Sequence, residues 1–476
     1  MKLYTLLKDI NCRVFGNTNI EIAGIYHKDT QVKENGLFFC LRGTRVDGVN
    51  FINSAIKNGA IAIVTEQEIS GISQTTQIIV KNARETMSLI ACKFFGNPAN
   101  KLKIIGVTGT NGKTTTTNVI AALLEKFEKK VAIIGTNGVI FSGKKYDTGF
   151  TTPDPIDLQK YFAKMVKEKI EYVVMEVSAH ALDLNKVSGF KFEISVFTNF
   201  TEDHLDYFKT MEKYFVAKSK LFTKKHSKFA ILNQDDSQFK KLASCINIPF
   251  LTYAINNEAN YFAIKISTCN QLQTFTLNKQ ICVKTQLLGK FNVSNILASV
   301  AVLETLGFKT EKIISYLQDV KPVEGRFNVL KVKDSLIVVD YAHTPDGLEN
   351  VLKTCREISN GSKVISVFGC GGNRDSQKRK IMGEISSKNA DFTIITSDNP
   401  RFEKRETIAR HIEEGMINSN YSIELDRAKA IKKAILMAES GDVVLIAGKG
   451  AEPYIDENGS KIPYSDYIEI EKFRRE

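Results

Sequence analysis

An α/β fold in three domains, built on parallel sheets, is the architecture that this chain of 476 residues predicts. Three observations carry that expectation. From about residue 101 onward, short apolar runs alternate with stretches of helical periodicity. A glycine-rich turn, Gly109-Thr110-Asn111-Gly112, joins one of those runs to a helical stretch. The pattern breaks around Pro98 to Asn100 and again around Val323 to Arg326, so the expected domains are 1–99, 100–325 and 326–476.

In the first unit, Ile20 to Ile25, Gly36 to Leu41, Ala60 to Val64 and Gln77 to Val80 read as strands, with helices around Val49 to Asn58 and Ala83 to Phe95. Its polar loop, Leu41 to Gly48, is either a plain connection or a binding loop for a phosphate or uracil group. In the second, Ile104 to Val107, Val131 to Gly135, Tyr172 to Glu176, Ile194 to Thr198 and Phe229 to Asn233 read as buried strands. Pro155 to Glu168 and Met211 to Leu221 read as helices. The third unit repeats the alternation in a Rossmann-like way, with strands Leu336 to Asp340, Val364 to Phe368, Phe392 to Thr396 and Val443 to Ala447. Such alternation implies βαβ units whose ligands gather beyond the carboxyl ends of the strands.

A hydrophobic content of 43% is ample for packed cores, and the net charge of +12 comes from lysines spread along the chain. Without a basic tail or a basic stripe interleaved with aromatics, nucleic-acid binding is not expected. No apolar run approaches the ~20 residues of a membrane span, and the N-terminus lacks the pattern of a signal peptide, so a cytoplasmic protein is expected. The eight cysteines have no paired spacing and read as free thiols, Cys370 as a small filler residue.

Lys103 to Thr116 has the form of a phosphate cradle. Glycines let backbone N–H groups approach an anion, a helix N-terminus adds positive potential, Lys113 reaches the outer phosphates and the Thr114 hydroxyl suits Mg²⁺. A Gly-rich turn without a ligand is the plain alternative. Glu176 and His204, each just past a strand, are placed as metal ligands beside Thr114. Lys218, from spacing alone, is a surface lysine. In the third unit Arg374 and Arg401 are forks for carboxylates, Asn399 adds an amide and Glu452 can accept from an ammonium, which together describe a pocket for an amino acid.

Further along, a resemblance emerges. GVTGTNGKTTT (106–116), TTPD (151–154), MEVSAHAL (175–182), TNFTEDHLDYF (198–208), AKSKLF (217–222) and LNQDD (232–236) are followed by GKFNVSNILAS (289–299), EGRF (324–327) and DYAHTPDGL (340–348). FGCGGNRDSQKR (368–379), DNPR (398–401) and AGKGAE (447–452) complete a series that resembles, in order, the signatures of the Mur ligases. The resemblance implies a UDP-binding first domain, a central P-loop ATPase domain and a C-terminal domain that delivers an amino acid. It also implies the reaction: ATP phosphorylates a D-glutamyl carboxylate, and the amine of the incoming amino acid attacks the acyl phosphate.

Roles follow from the same resemblance. Gly109, Thr110, Asn111, Gly112, Lys113, Thr114 and Thr115 would cradle ATP, with Asn292 and Asn295 on the adenine side and Arg326, Asp340 and His343 reaching ribose and phosphate. Thr114, Glu176 and His204 would arrange Mg²⁺, with Lys218 as a carbamylated lysine ligand (N6-carboxylysine). Lys113, Glu176, His204 and Lys218 would thus carry the catalysis. Thr44, Arg45, Val46, Thr151, Thr152, Ser178 and Lys186 would contact UDP-MurNAc-L-Ala-D-Glu. Arg374, Asp398, Asn399, Pro400, Arg401, Gly448 and Glu452 would hold meso-diaminopimelate. Ala179, Leu184, Lys186, Ala451 and the run Asp29-Thr30-Gln31 depart from the common family pattern. The expected molecule is a monomeric ligase; the alternatives are the lysine-adding branch and a nucleotide-binding regulator without turnover.

Overall fold

A computed structural model describes every residue of the chain except Thr44, Arg45, Ser73, Arg475 and Glu476. Its frame is three sheets, with 5, 11 and 6 strands, and a separate two-stranded hairpin near the C-terminus.

The central sheet positions the chemistry. Its parallel heart runs Phe250–Ala254, Ser227–Asn233, Phe192–Phe197, Lys103–Thr108, Tyr172–Glu176, Val131–Gly135. Strands buried on both faces need apolar side chains at successive positions, which is why they read as continuous runs. Ile104, Val173, Met175 and Phe192 pack on one face, and Ile105, Val107, Val174 and Ile194 on the other. Gly106 has a packing reason: a Cβ there would lie 2.7 Å from the Phe192 ring. Antiparallel strands extend the sheet at both ends, Gly138–Phe141 and Lys144–Tyr146 on one side, Leu272–Leu277 and Ile281–Thr285 on the other. At the start of Ser227–Asn233, His226 is 6% exposed and its Nδ1 has no hydrogen-bond partner among the described residues.

The N-terminal sheet has the order Cys12–Phe15, Thr76–Val80, Ala60–Thr65, Gly36–Phe39, Gly24–Tyr26, with only the first pair antiparallel. The expected strand Ile20 to Ile25 is shorter here. Ile20 and Ile22 bond instead to the first residues of the chain, Leu3 N to Ile20 O at 3.0 Å and Ile22 N to Met1 O at 2.9 Å. The helix expected from Val49 starts as a 3₁₀ turn, Gly48–Phe51, and becomes α-helical at Ile52–Lys57. This layer touches the central one through Ser88 Oγ, 2.6 Å from the Asn185 carbonyl, and Ile156, which packs against its core.

In the C-terminal sheet the order is Asn328–Val332, Ser335–Asp340, Val443–Ala447, Val364–Phe368, Phe392–Ile395, Tyr421–Ile423. All pairs but the first are parallel, so the strand-end loops collect on one side. Among the described residues, no helix is long and apolar enough to cross a membrane.

Candidate active site

The strand Lys103–Thr108 lies between Phe192–Phe197 and Tyr172–Glu176, so its carboxyl end meets the ends of both neighbours. The turn that follows needs glycine twice. A Cβ on Gly109 would stand 1.9 Å from Thr198 Oγ1, and one on Gly112, at φ 83°, 2.6 Å from Asn295 Oδ1. Asn111 is pinned by Asn199 Oδ1, which accepts its N–H at 2.8 Å, and by Thr198 Oγ1, which donates to its carbonyl at 2.6 Å. Helix Lys113–Lys126 then begins with its free N–H groups at the loop. Lys113 Nζ arches back to the carbonyls of Gly109 and Thr110, at 2.9 and 2.8 Å. Burial pushes its pKa down, against the pull of Glu176 and Asp203.

Around this turn the expected metal ligands converge in part. Glu176 Oε1 accepts from the Thr114 hydroxyl at 3.0 Å and the Thr136 N–H at 3.0 Å, and Oε2 from the Thr136 hydroxyl at 3.1 Å. Arg326 Nη2 also donates to Thr114 Oγ1, at 3.0 Å. A buried carboxylate among hydroxyls is an oxygen set suited to a hard cation such as Mg²⁺. Among the described residues no three His, Cys, Asp or Glu side chains stand together as a closed metal site. Mg²⁺ takes one or two protein carboxylates and completes its shell with phosphate and water. His204, held at φ 58°, stands beside Asp203, with Nε2 3.5 Å from Oδ2. Burial, helped by the nearby His180 and Lys218, lowers its pKa and keeps the imidazole neutral, the form that ligates metals.

Lys218 is a correction to its reading from spacing. It lies on the inner face of helix Met211–Ser219, 3% exposed, with Nζ 2.7 Å from the Gly109 carbonyl and 4.6 Å from the centre of the Tyr214 ring. Burial and the neighbouring Lys113 push its pKa well below the ordinary lysine value.

The residues expected around adenine and ribose serve the frame in this conformation. Asn292 Nδ2 donates to the Leu288 carbonyl and its Oδ1 accepts from Asn295, whose own Oδ1 accepts from the Thr116 hydroxyl. Helix Lys290–Thr305 is thereby bonded to the phosphate-loop helix. Asp340 spends its carboxylate on the N–H groups of Phe327 and Ala342, at 2.6 and 2.7 Å. Arg326 stacks over Tyr341, and His343 Nδ1 bonds to the Tyr341 carbonyl at 2.9 Å. A further contact across the layers is Asp346, whose Oδ2 accepts from Asn111 Nδ2 at 2.9 Å.

Between the N-terminal and central layers, Thr152 Oγ1 donates to the Glu176 carbonyl at 3.0 Å and accepts from Ser178 N at 3.1 Å. Ser178 caps the short helix Ala179–Asp183, and Thr151 meets Thr136. Lys186 is buried against Asp154 at 2.8 Å and lies over the Phe150 ring, and Asp154 also faces His27 at 3.7 Å. A cavity of about 330 Å³ opens beside these residues, lined by His27, Asp29, Thr30, Phe38, Val46 and Phe51 among others. Thr44 and Arg45 lie outside the described residues.

The loops of the C-terminal sheet form a second centre. Arg401 and Arg374 flank Gly371: a Cβ there would be 2.8 Å from Arg401 Nη1 and 3.8 Å from Arg374 Cγ. Arg401 Nη1 donates to the Gly372 carbonyl at 2.8 Å, and Arg374, half-exposed, faces Asp206 at 3.6 Å. Asn399 Nδ2 donates to Glu452 Oε2 at 2.9 Å. Asp398 is turned inward, accepting its neighbour's N–H and filling the space a Cβ on Gly448 would need, and Pro400 is buried. Three participants were not singled out from sequence. Lys449, fully buried, bonds Asn399 Oδ1 at 3.0 Å and Glu452 at 3.2 Å. Asp456 N donates to Asn399 Oδ1 at 2.8 Å. Arg427, paired with Asp466 in the interior, donates to the Ser397 and Ala447 carbonyls directly before the two loops. Lys449 carried a signal, its place inside a strand-end Gly-rich loop; Arg427 and Asp456 carried none.

Family models match three stretches: Mur ligase middle domain at residues 107–303, Mur ligase, glutamate ligase domain at 325–450, and Mur ligase family, catalytic domain at 21–94. The chain is 42% identical over 461 residues to UDP-N-acetylmuramoyl-L-alanyl-D-glutamate–2,6-diaminopimelate ligase 1 of Clostridium acetobutylicum, covering 95% of each chain. To the 2,6-diaminopimelate ligase of the same name in Geobacillus kaustophilus it is 42% identical over 469 residues, again covering 95% of each. A solved structure of UDP-N-acetylmuramoyl-L-alanyl-D-glutamate–2,6-diaminopimelate ligase superposes with a TM-score of 0.72 at 31% identity, covering 100% of this chain and 99% of that one. With its phosphate loop, its three sheets and these relatives, the chain belongs to the Mur ligase family.

Proposed function

We propose that the protein joins meso-diaminopimelate to the D-glutamyl carboxylate of UDP-MurNAc-L-Ala-D-Glu, in an ATP- and Mg²⁺-dependent amide ligation that builds a peptidoglycan precursor. The observation that carries this reading is the pairing of Arg401 with the Asn399–Glu452 hydrogen bond in one strand-end pocket, a cation and an anion suited to an amino acid with a second charged end. Relatives at 42% identity bearing that name support it.

In this reading the phosphate loop holds the triphosphate with backbone N–H groups and Lys113, and Arg326 brings positive charge from the C-terminal layer to the same point. The D-glutamyl carboxylate attacks the γ-phosphorus and ADP leaves. The amine of diaminopimelate then attacks the acyl carbon, and phosphate departs from the tetrahedral intermediate. Positioning donor, carboxylate and amine in line is the main task of the protein. Thr114, Glu176, His204 and Lys218 as its carbamate would hold Mg²⁺, which when bound neutralises charge on the transferred phosphoryl group. The depressed basicity of Lys218 supports that modification, because the neutral amine adds to CO₂, loses a proton and becomes a carboxylate on nitrogen. The cavity at His27, Asp29 and Val46 is the candidate for the uridine end of the substrate.

The test is phosphate release by the purified chain with ATP, Mg²⁺ and the dipeptide nucleotide, comparing amino acids. Turnover with meso-diaminopimelate should exceed that with L-lysine at least about tenfold, since a half-buried Arg fork left without its carboxylate is costly. Faster release with lysine would overturn the reading.

A further inference from the structure

Helix Met211–Ser219 has two unlike faces. Tyr214 and Lys218, four residues apart, share the buried face that meets the phosphate turn, Lys218 at the Gly109 carbonyl and Tyr214 at the Thr110 hydroxyl, 3.3 Å away. Lys213 and Val216 stand on the other face, and Lys220 continues their row beyond the last turn. That outer face lines a cavity of about 420 Å³, a volume in the range of small-molecule sites. The turn Leu205–Phe208, the Lys209 that ends it and Asp183 of helix Ala179–Asp183 complete the lining.

Hydrocarbon and ammonium dominate that lining. Phe208 and Ala217 supply buried carbon, and Val216, 48% exposed, supplies open carbon. Lys209, Lys213 and Lys220 share the cavity with two acids, and both acids are already engaged. Asp183 pairs with Lys220 at 3.3 Å and accepts from the Tyr207 hydroxyl at 3.1 Å, while Glu212 pairs with Lys241, outside the lining. Among the described residues the Lys213 amine has no partner, and the Lys209 amine has only the Asp206 carbonyl, at 2.5 Å. Two ammoniums without carboxylates therefore stand beside exposed hydrocarbon. An occupant that covers Val216 and neutralises both amines gains from apolar burial and from charge together; an inorganic ion gains only from the second and a neutral hydrocarbon only from the first. The near-double charge of a phosphate monoester matches two free ammoniums better than the single charge of a carboxylate.

We propose that this cavity is a binding site for a small organic phosphate monoester, with its hydrocarbon on Phe208, Val216 and Ala217 and its phosphate on Lys209 and Lys213. The site is separate from the phosphate turn, which meets the other face of the same helix.

The probe is 2-naphthyl phosphate, titrated into the full chain with ADP, Mg²⁺ and UDP at saturation so that other phosphate-binding places are filled. The chain has no tryptophan, so naphthyl anisotropy is read without indole emission. The Kd should fall below about 1 mM, with 2-naphthoate, 2-naphthol and inorganic phosphate each at least about fivefold weaker as competitors. Lys213→Glu and, independently, Val216→Asp should each raise the Kd at least about tenfold in protein whose far-UV spectrum matches the parent. Lys284→Glu, the same charge change on the edge strand Ile281–Thr285, should leave it within about twofold. Equal losses in Lys213→Glu and Lys284→Glu would reduce the binding to general charge attraction, and an unchanged Kd in Lys213→Glu or Val216→Asp would place the probe elsewhere. A competitor as tight as the ester would remove either the phosphate or the hydrocarbon from the recognition. Each of these results overturns the assignment, as does a Kd above about 1 mM for the parent chain.

Discussion

Two amines meet at the phosphate turn, Lys113 from the helix that follows it and Lys218 from a helix about a hundred residues later in the chain. Lys218→Ala should lower the rate of phosphate release by at least about a thousandfold while leaving the far-UV spectrum and the ADP affinity near those of the parent chain. Added bicarbonate should not restore it; a variant with undiminished turnover would remove the carbamate from the mechanism. At this scale the sequence was legible where chemistry and backbone coincide. Gly109 and Gly112 announce a turn that no side chain fits, and Lys113 and Thr114 follow directly. Lys218 was not legible by spacing, because a single buried lysine beside Ala217 looks like any helix position until the partner across the fold is known. Asp346 and Asp456 were hidden for the same reason, each acting on a group far away in sequence.

Among elements, the parallel strands were legible because burial on two faces demands unbroken apolar runs. The antiparallel extensions were not. Leu272–Leu277 alternates between buried and half-buried positions, so it carries half the apolar signal of a central strand. One strand start also carries a pH dependence. Burial holds His226 neutral down to about 4 in the folded chain, whereas the unfolded chain protonates it below about 6.5. The folded state is therefore fully favoured above the upper value and loses stability as the pH falls toward the lower one. Urea midpoints measured from pH 7 to pH 4.5 should show a decline, of which His226→Gln removes a part on the order of 1–2 kcal/mol. An identical pH profile in the variant would show that His226 contributes nothing to it.

Across the whole molecule, the interruptions at Pro98 and Val323 are where the sequence leads one to expect the divisions between three parts, but the contacts that join the parts were not visible in it. Those contacts converge on the phosphate turn: Asp346 holds Asn111, Arg326 reaches Thr114, and His343 faces Asp203 at 3.9 Å. If they position the third layer for the reaction, Asp346→Ala should lower kcat about tenfold with little change in affinity for the dipeptide nucleotide. Steady-state phosphate release and nucleotide-peptide titration check this, and a loss confined to substrate affinity would contradict it.

The Gly109 carbonyl, which accepts from Lys113 at 2.9 Å and from Lys218 at 2.7 Å, makes protonation of the two lysines a shared quantity. A proton held by one raises the cost of a proton on the other, and the single oxygen cannot stabilise both charges fully. A phosphate that draws Lys113 away would leave that one backbone oxygen to Lys218 alone.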